Sequence, residues 1–190
     1  KAYSASAIAD IYDGEMVLFM IGPGNIQDVR ALTEAIGSAL SERQIHASLT
    51  RCHALNTTTR VREAFLSHQV GLPAAKQIFP GQWAYTLEQI DFARHCQEQI
   101  GRGERAVEEA QRCIAALQDG DDGLLETLEC YLLDARTHVT LTAEKMFLHK
   151  NTIKYRLQRI ADRLGFVPGE LPESIPLFTA CALDRLLRRN

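Results

Sequence analysis

A run of polar and basic residues between His149 and Leu164 has the types and the spacing needed to recognise DNA. Four apolar residues at helical period form one stripe of a predicted helix: Ile153, Leu157, Ile160 and Leu164. At about 100° per residue, four polar residues lie nearly opposite that stripe: Asn151, Tyr155, Gln158 and Asp162. They are flanked by Thr152, Lys154 and Arg159. Side chains of these types hydrogen-bond base edges or hold phosphates, so the predicted chemistry is recognition.

The charge of this helix has two interpretations. From His149 to Arg163 there are five Lys/Arg and one acid, Asp162. Such a face can hold phosphates, but an isolated charged helix more often simply exposes its charges to solvent. Arg156 and Arg163 lie near the edge of the apolar stripe, where phosphate contacts and ion pairs are both open. The residues that precede the helix favour the DNA interpretation.

The segment before this helix has the pattern of a shorter helix followed by a tight turn. Thr140 can cap the shorter helix, and His149 or Asn151 can cap the longer one. The predicted inward residues are Ala143, Met146 and, in the turn, Leu148. Phe147 stands in the region where a glycine is often found. A short helix, a few-residue turn and a longer helix with a polar outer face form the helix-turn-helix arrangement.

Residues 140–160, TLTAEKMFLHKNTIKYRLQRI, resemble the C-terminal helix-turn-helix of the PucR/CdaR family of purine-catabolism and sugar-diacid regulators. That module is itself similar to the DNA-binding end of the factor for inversion stimulation. The matching residues are Val139, Thr140, Thr142, Ala143, His149, Asn151, Thr152, Tyr155, Arg156, Leu157, Arg159 and Ile160. The chain departs from the family at Lys150 (usually Arg), at Thr137-His138 (usually Gly-Asn) and at Glu144 (often neutral or basic). A lysine offers a point charge where an arginine could bind guanine with two hydrogen bonds, so these departures bear on sequence preference.

The resemblance implies roles for individual residues. The family's recognition helix meets the major groove at positions that match Lys150, Thr152, Lys154 and Tyr155. Its first helix meets a phosphate at the position of Thr140. We predict that Thr140, Lys150 and Arg156 hold phosphates, and that base edges are read by Asn151, Thr152, Lys154 and Tyr155. The complete predicted DNA-binding set is Thr140, Thr142, His149, Lys150, Asn151, Thr152, Lys154, Tyr155, Arg156 and Arg159.

Charge is divided unevenly along the 190 residues. The net charge is −3, which argues against a general nucleic-acid binder. Residues 124–190 hold ten Lys/Arg and eight Asp/Glu, a net of +2, whereas residues 1–123 hold eleven and sixteen, a net of −5. This division fits a regulator whose DNA contact is confined to one module. No apolar run reaches transmembrane length, so no membrane partner is predicted.

The sequence offers no set of residues for catalysis, a metal or a cofactor. The six histidines lack HExxH and HxH spacing, and no G-x-S-x-G is present. The five cysteines include no CxxC and are predicted to be reduced thiols, most of them buried. We therefore predict a protein that is not an enzyme and has no cofactor.

The front of the chain has an α+β pattern. Residues 3–21 are predicted to form a β-hairpin around Asp13-Gly14. A helix capped by Asn25 follows and runs to about Arg43, and a strand is predicted at 45–52. The next elements are a helix at 57–79 and a short strand at 83–87. Gly71-Leu72-Pro73 is a candidate break in the second helix. This order resembles the degenerate GGDEF-like domain that precedes the helix-turn-helix in many PucR/CdaR regulators. Because Tyr12 stands where a cyclase needs glycine, ligand binding or dimerisation is favoured over nucleotide cyclisation.

The chain is predicted to have two domains and a connector. Residues 1–87 form the GGDEF-like domain, truncated at its start, since the chain opens with Lys1 and is taken for a fragment. Residues 88–123 form a helical connector, broken at 101–103, and a linker at 119–123. Residues 124–190 form an all-helical DNA-binding domain. It begins with a helix at 124–134 and closes with one at 175–187, whose Arg185, Arg188 and Arg189 either touch phosphates or end in solvent.

The sequence as a whole predicts a cytoplasmic transcription regulator of the PucR/CdaR type with an α+β fold. Its recognition helix, at about 150–164, is expected to bind double-stranded DNA as part of a homodimer. A small-molecule effector would be sensed outside this fragment. The alternative is a helix-turn-helix module that binds protein or a ligand without binding DNA.

Overall fold

The structure is a computed structural model that describes residues 6–21, 26–52, 55, 57–118 and 123–188. The described residues are mostly helical. The helices are α1 (Ile26–Glu42), α2 (Thr58–Ile78), α3 (Leu87–Gly101), α4 (Glu104–Gln118), α5 (Leu124–Glu129), α6 (Val139–Met146), α7 (Lys150–Leu164) and α8 (Ser174–Arg188). A π-helical turn (Cys130–Asp134) continues α5. The strands are β1 (Ser6–Tyr12), β2 (Glu15–Ile21), β3 (Leu49–Arg51) and β4 (Ala84–Thr86). The predicted cap at Asn25 and residues 119–122 of the predicted linker lie outside the described residues.

Strands β1 and β2 form the predicted hairpin. They pair antiparallel, with Tyr12 opposite Glu15. Asp13 and Gly14 both have positive φ, 51° and 80°, which is the turn geometry that matches the right-handed twist of two strands. Strands β3 and β4 pair parallel in a sheet of their own. The two sheets do not join in the described residues, so the expected α/β sandwich is not confirmed.

Helix α2 runs unbroken through Pro73, so the possible break near Gly71-Leu72-Pro73 is wrong. The reason is tertiary packing against α3. A side chain at Gly71 would place its Cβ 2.7 Å from the carbonyl oxygen of Ile90, so the two helices approach as closely as glycine allows. Ala74 and Ala75, one turn further on, and Ile78, two turns further on, are buried. Burial of this face outweighs the local preference against proline inside a helix.

One hydrophobic cluster runs through the helices on both sides of residues 119–122. Its fully buried members include Ile78, Ile90, Ile114, Leu128, Ile160 and Leu183. Phe92 and Phe178, from α3 and α8, stack with ring centroids 5.1 Å apart. The division of the chain into domains stays a prediction. The packing makes α3 and α4 part of the same core as the helix-turn-helix.

Arg185 is held in the interior of the protein. The two predicted environments, a DNA phosphate and solvent, are therefore both wrong. Its side chain is 12% exposed. Its Nη1 and Nη2 donate to the two carboxylate oxygens of Asp134 at 2.8 and 2.7 Å. Nη1 also donates to the carbonyl oxygen of Ile78, at the end of α2, at 2.7 Å. The arginine therefore ties α8 to the π-helical turn and to α2.

Arg188 completes this ionic cluster, although its side chain remains 46% exposed. It pairs with Glu129, and its Nε lies 2.7 Å from an oxygen of Asp184. Burial raises the pKa of the Glu129 carboxyl, opposed by the hydrogen bond and charge of Arg188 and by the charge of Arg185. Arg189 lies outside the described residues.

The five cysteines are free thiols, and they differ in burial. Cys96, Cys130 and Cys181 are buried, whereas Cys52 and Cys113 are partly exposed. Burial raises the pKa of the Cys96 thiol to about 12 and that of Cys181 well above its ordinary range. The thiolate is the reactive form, so the buried cysteines should react slowly.

We expect an aromatic disulfide reagent at pH 8 to modify Cys52 and Cys113 first in the native protein. The other three thiols should react at full rate after denaturation in urea. Mass spectrometry of timed samples identifies the modified residues. If Cys181 reacted as fast as Cys113 in the native protein, the packing around α8 described above would be incorrect.

Candidate nucleic-acid interface

Helix α6 begins two residues earlier than a Thr140 cap would require. His138 has the extended backbone of the capping residue, and its carbonyl oxygen accepts hydrogen bonds from both the Oγ1 and the backbone N–H of Thr142, each 2.9 Å long. Thr140 is the second residue of the helix and is exposed. It therefore stands at the positive end of α6, where a backbone phosphate would be favoured.

The turn between α6 and α7 is three residues long. Phe147 ends α6 with a left-handed backbone, φ 55° and ψ 38°. The backbone N–H of Leu148 then bonds back to the carbonyl oxygen of Ala143 at 3.0 Å. Leu148 and Met146 are half-buried. This geometry matches the predicted helix-turn-helix, with phenylalanine in the conformation that glycine usually adopts at a helix end.

Helix α7 is capped at both ends. The Nδ1 of His149 accepts the backbone N–H of Asn151 at 3.2 Å, so His149 is the cap among the two predicted candidates. Gly165, with φ 80°, ends the helix and donates its N–H to Ala161 at 2.8 Å. The length and direction of α7 are thus fixed by residues immediately next to it.

The apolar stripe of α7 is buried as predicted. Ile153 and Ile160 are completely buried, and Leu157 and Leu164 pack partly buried against the main hydrophobic cluster. The contacting helices include α5 and α6. Burial of this stripe fixes the rotation of α7 about its own axis, and so decides which residues face outward.

The opposite side of α7 is polar and open to solvent. Lys150, Asn151 and Lys154 are exposed, and Tyr155 is 63% exposed. Thr152 is half-buried. These side chains lie within the first two turns of the helix, the part that a helix-turn-helix commonly presents to base edges.

The second half of this face is organised by contacts within α7. The Arg159 guanidinium carbon lies 5.9 Å from the centroid of the Tyr155 ring, within the range of a cation–π interaction. Gln158 donates to Asp162 at 3.0 Å. The contact with Arg159 helps to orient the Tyr155 ring. Arg159 is half-buried, so part of its side chain remains at the surface.

Arg156, predicted to hold a phosphate, is half-buried and makes hydrogen bonds inside the protein. Its Nη1 donates to Thr127 Oγ1 at 3.0 Å and to the carbonyl oxygen of Gly123 at 3.4 Å. The guanidinium packs so closely on Gly123 that a Cβ there would lie 3.0 Å from Nη1. Arg156 therefore holds α7 against the start of α5. Arg163 is exposed, and its Nη1 donates to the carbonyl oxygen of Ala116 in α4 at 3.2 Å.

Thr142 is another residue of the predicted DNA-binding set whose side chain makes a contact inside the protein. It is completely buried, and its hydroxyl donates to His138. A residue with no exposed surface cannot meet DNA without unfolding α6. The remaining predicted residues stand at the surface of one module: Thr140, His149, Lys150, Asn151, Thr152, Lys154, Tyr155 and Arg159.

Sequence analysis missed the residues that hold this face in place. Gly123 and Thr127 bind Arg156 from a helix about thirty residues away, and no local spacing links them. The sequence contains a partial signal for Gly123, because it follows four turn-forming residues. Its backbone is left-handed, with φ 62°.

No group of three or more metal-ligating side chains occurs within the described ranges. Among the same residues, no helix is both long and apolar enough to cross a bilayer.

Comparison with known proteins finds similarity in the helix-turn-helix part of the chain. Residues 124–183 match the family model of the PucR C-terminal helix-turn-helix domain. The chain is similar to the carbohydrate diacid regulator of Escherichia coli (strain K12), 31% identical over 84 residues, which are 44% of this chain and 22% of that protein. It is similar to the purine catabolism regulatory protein of Bacillus subtilis (strain 168), 31% identical over 74 residues, 39% of this chain and 14% of that protein. An uncharacterised protein of Mycobacterium tuberculosis (strain ATCC 25618 / H37Rv) is 37% identical over 70 residues, 37% of this chain and 17% of that protein.

The similarity is confined to part of each protein. The aligned segments span about a fifth or less of the length of these relatives. Helices α5 to α7 lie entirely within the matched residues 124–183. The helix-turn-helix assembled by these elements therefore coincides with the part of the chain that matches the PucR C-terminal model.

Proposed function

We propose that this chain is part of a DNA-binding transcription regulator of the PucR/CdaR type, and that α7 lies in the major groove of its target. One observation carries the proposal. The first two turns of α7 expose Lys150, Asn151, Lys154 and Tyr155 together, while Ile153 and Ile160 fix the helix from behind. A capped helix held in this way presents hydrogen-bonding groups in a fixed orientation, as base recognition requires. The similarity to two proteins named as regulators supports the same function.

The exposed residues divide into two roles. Thr140, at the start of α6, and Lys150, at the start of α7, would bind phosphates, because both lie at positive helix ends. Asn151, Thr152, Lys154 and Tyr155 would read base edges. Asparagine pairs with adenine through two hydrogen bonds, and lysine favours guanine. His149 would contribute through the ring nitrogen that does not cap α7, and Arg159 by orienting Tyr155.

The proposal extends to the assembly and setting of the protein. A single small helix-turn-helix buries little surface, and such readers commonly bind two half-sites one helical turn apart, so we propose a homodimer. Because its proposed target is DNA, we propose that the protein is cytoplasmic. A small-molecule effector would act through a region outside these residues, and the α+β front would be a degenerate GGDEF-like domain that serves binding or dimerisation.

Lys154→Ala is expected to weaken binding to a selected DNA site by about 1–3 kcal/mol, the range for one base contact. Binding to unrelated DNA should change much less. Fluorescence anisotropy at fixed salt measures both affinities. Lys76→Ala is the matched control, since Lys76 is an exposed lysine on α2, outside the module. An equal loss on every DNA sequence would make Lys154 a phosphate contact and its assignment to base readout wrong.

Selection from a random-sequence DNA pool at two salt concentrations tests the function as a whole. An enriched motif with two-fold symmetry would support both the regulator and the homodimer, and would give the half-site spacing. Phosphate contacts release counterions, so affinity should fall steeply as salt rises. Absence of binding at low salt would contradict the proposal and favour the alternative, a helix-turn-helix that binds protein. A thermal shift with GTP and Mg²⁺ would instead indicate nucleotide binding by the front of the chain.

A further inference from the structure

Phe147 combines two features that are unfavourable in the free chain. Its side chain is 95% exposed, the highest value among the exposed large hydrophobic residues of the described chain. Its backbone is left-handed, with φ 55°, a conformation that costs energy for any residue with a Cβ and that glycine adopts freely. A glycine would remove both penalties. An exposed ring on a strained backbone points to a contact made outside the chain.

The position of Phe147 indicates where that contact lies. The residue ends α6 and stands two positions before His149, the cap of α7. Lys150 and Asn151, which follow directly, are exposed at the beginning of the recognition helix. The N-terminal residues of a recognition helix are the ones that approach base edges and the adjoining backbone. Phe147 therefore lies beside the end of α7 that meets DNA in the proposed complex.

We propose that the Phe147 ring makes an apolar contact with the DNA, at the border of the site that α7 reads. This inference rests on the proposed function. The contacted group is an apolar carbon surface of DNA, either a thymine methyl group in the major groove or the carbon face of a deoxyribose. Phenylalanine is one of the residues that recognise the thymine methyl. Burial of the ring in the complex offsets the exposure and the backbone strain of the free protein.

The test uses Phe147→Gly and Phe147→Ala on the complete chain. Both variants should lose about tenfold in affinity for the selected site, the order of one lost base-level contact. The slope of log affinity against log salt should stay that of the parent protein, because no charge is removed. The melting temperature of Phe147→Gly should equal or exceed that of the parent, because glycine fits φ 55°. Loss of binding without loss of stability separates a DNA contact from a structural role.

Two further measurements identify the contacted group and control for surface effects. Replacing thymine by deoxyuridine removes the C5 methyl. If the substitution lowers the affinity of the parent protein but not that of Phe147→Gly, the ring contacts the methyl group. If the substitution changes neither affinity, and Phe147→Gly still binds more weakly than the parent protein, the ring contacts deoxyribose. Val167→Ala is the control, since Val167 is an exposed apolar residue of the same domain, after α7. It should leave affinity unchanged.

The failures of this inference and of the proposed function are distinguishable. If the parent protein selects no DNA at low salt, the proposed function fails first. If the parent binds its site and Phe147→Gly binds equally well, the function stands and the contact is refuted. If Phe147→Gly weakens binding only by reducing self-association in sedimentation experiments, the ring contacts a second copy, and the DNA contact is again refuted.

Discussion

Arg185→Ala is expected to lower the free energy of unfolding by about 3–5 kcal/mol, the cost of removing one partner of a buried ion pair. The arginine supplies two hydrogen bonds to Asp134 and one to the carbonyl oxygen of Ile78. It also lies 3.4 Å from a carboxylate oxygen of Glu129, whose side chain is 5% exposed. Without the guanidinium, the Asp134 carboxylate and the Ile78 carbonyl lose this partner where water has little access, and Glu129 keeps only Arg188.

The loss should extend beyond the local site. Arg185 joins α8 to the π-helical turn and to the end of α2, so it links the front of the chain to the helix-turn-helix. We expect a lower urea midpoint with little change in the slope of the transition. We also expect weaker DNA binding, because fewer molecules keep the π-helical turn that precedes α6 in place.

Arg105→Ala is the matched control for this prediction. Arg105 also sits on a helix and pairs with a carboxylate, Glu109, at 3.9 Å, but its side chain is 91% exposed. An exposed pair of this kind contributes about 0.3–0.5 kcal/mol. If the Arg185 and Arg105 variants unfolded at the same urea concentration, the buried ionic cluster would have no role in stability.

Ile160→Ala is the second large effect, with an expected loss of about 2–5 kcal/mol in the free energy of unfolding. Ile160 is completely buried on the inner side of α7, within the main hydrophobic cluster. Truncation removes three carbons from the core and leaves a cavity, because neighbouring helices relax only in part. The same cavity should let α7 rotate or shift, so specific DNA affinity should fall more than the folded fraction accounts for.

Ile175→Ala controls for the chemistry of this substitution. Ile175 lies near the start of α8 and is 58% exposed, so the same truncation creates no cavity and should cost far less. Chemical denaturation gives the stability of each variant, and anisotropy at a temperature well below each melting point gives the affinity. Equal losses for Ile160→Ala and Ile175→Ala would mean that α7 is not packed as described. A stability loss with unchanged affinity would mean that its orientation does not depend on Ile160.

The sequence by itself determined the elements of the site. The apolar period of α7 predicted the buried Ile153 and Ile160, and the polar residues opposite are exposed, as at Asn151, Tyr155 and Gln158. The hairpin followed from Asp13-Gly14. These predictions succeeded because they depend on interactions a few residues long: helical periodicity, a turn that requires positive φ, and a cap beside its helix.

Tertiary structure alone decided what each polar side chain contacts. Thr142 matched the DNA-binding pattern but is buried, because α6 turns it inward onto His138. Arg156 differs little in sequence context from Lys154, yet it binds Thr127, 29 residues away, while Lys154 faces solvent. Arg185 finds Asp134 at a separation of 51 residues and Ile78 at 107. Partners at such distances are set by how helices pack, because the energy of a charged group depends on its desolvation and on the groups brought around it in space.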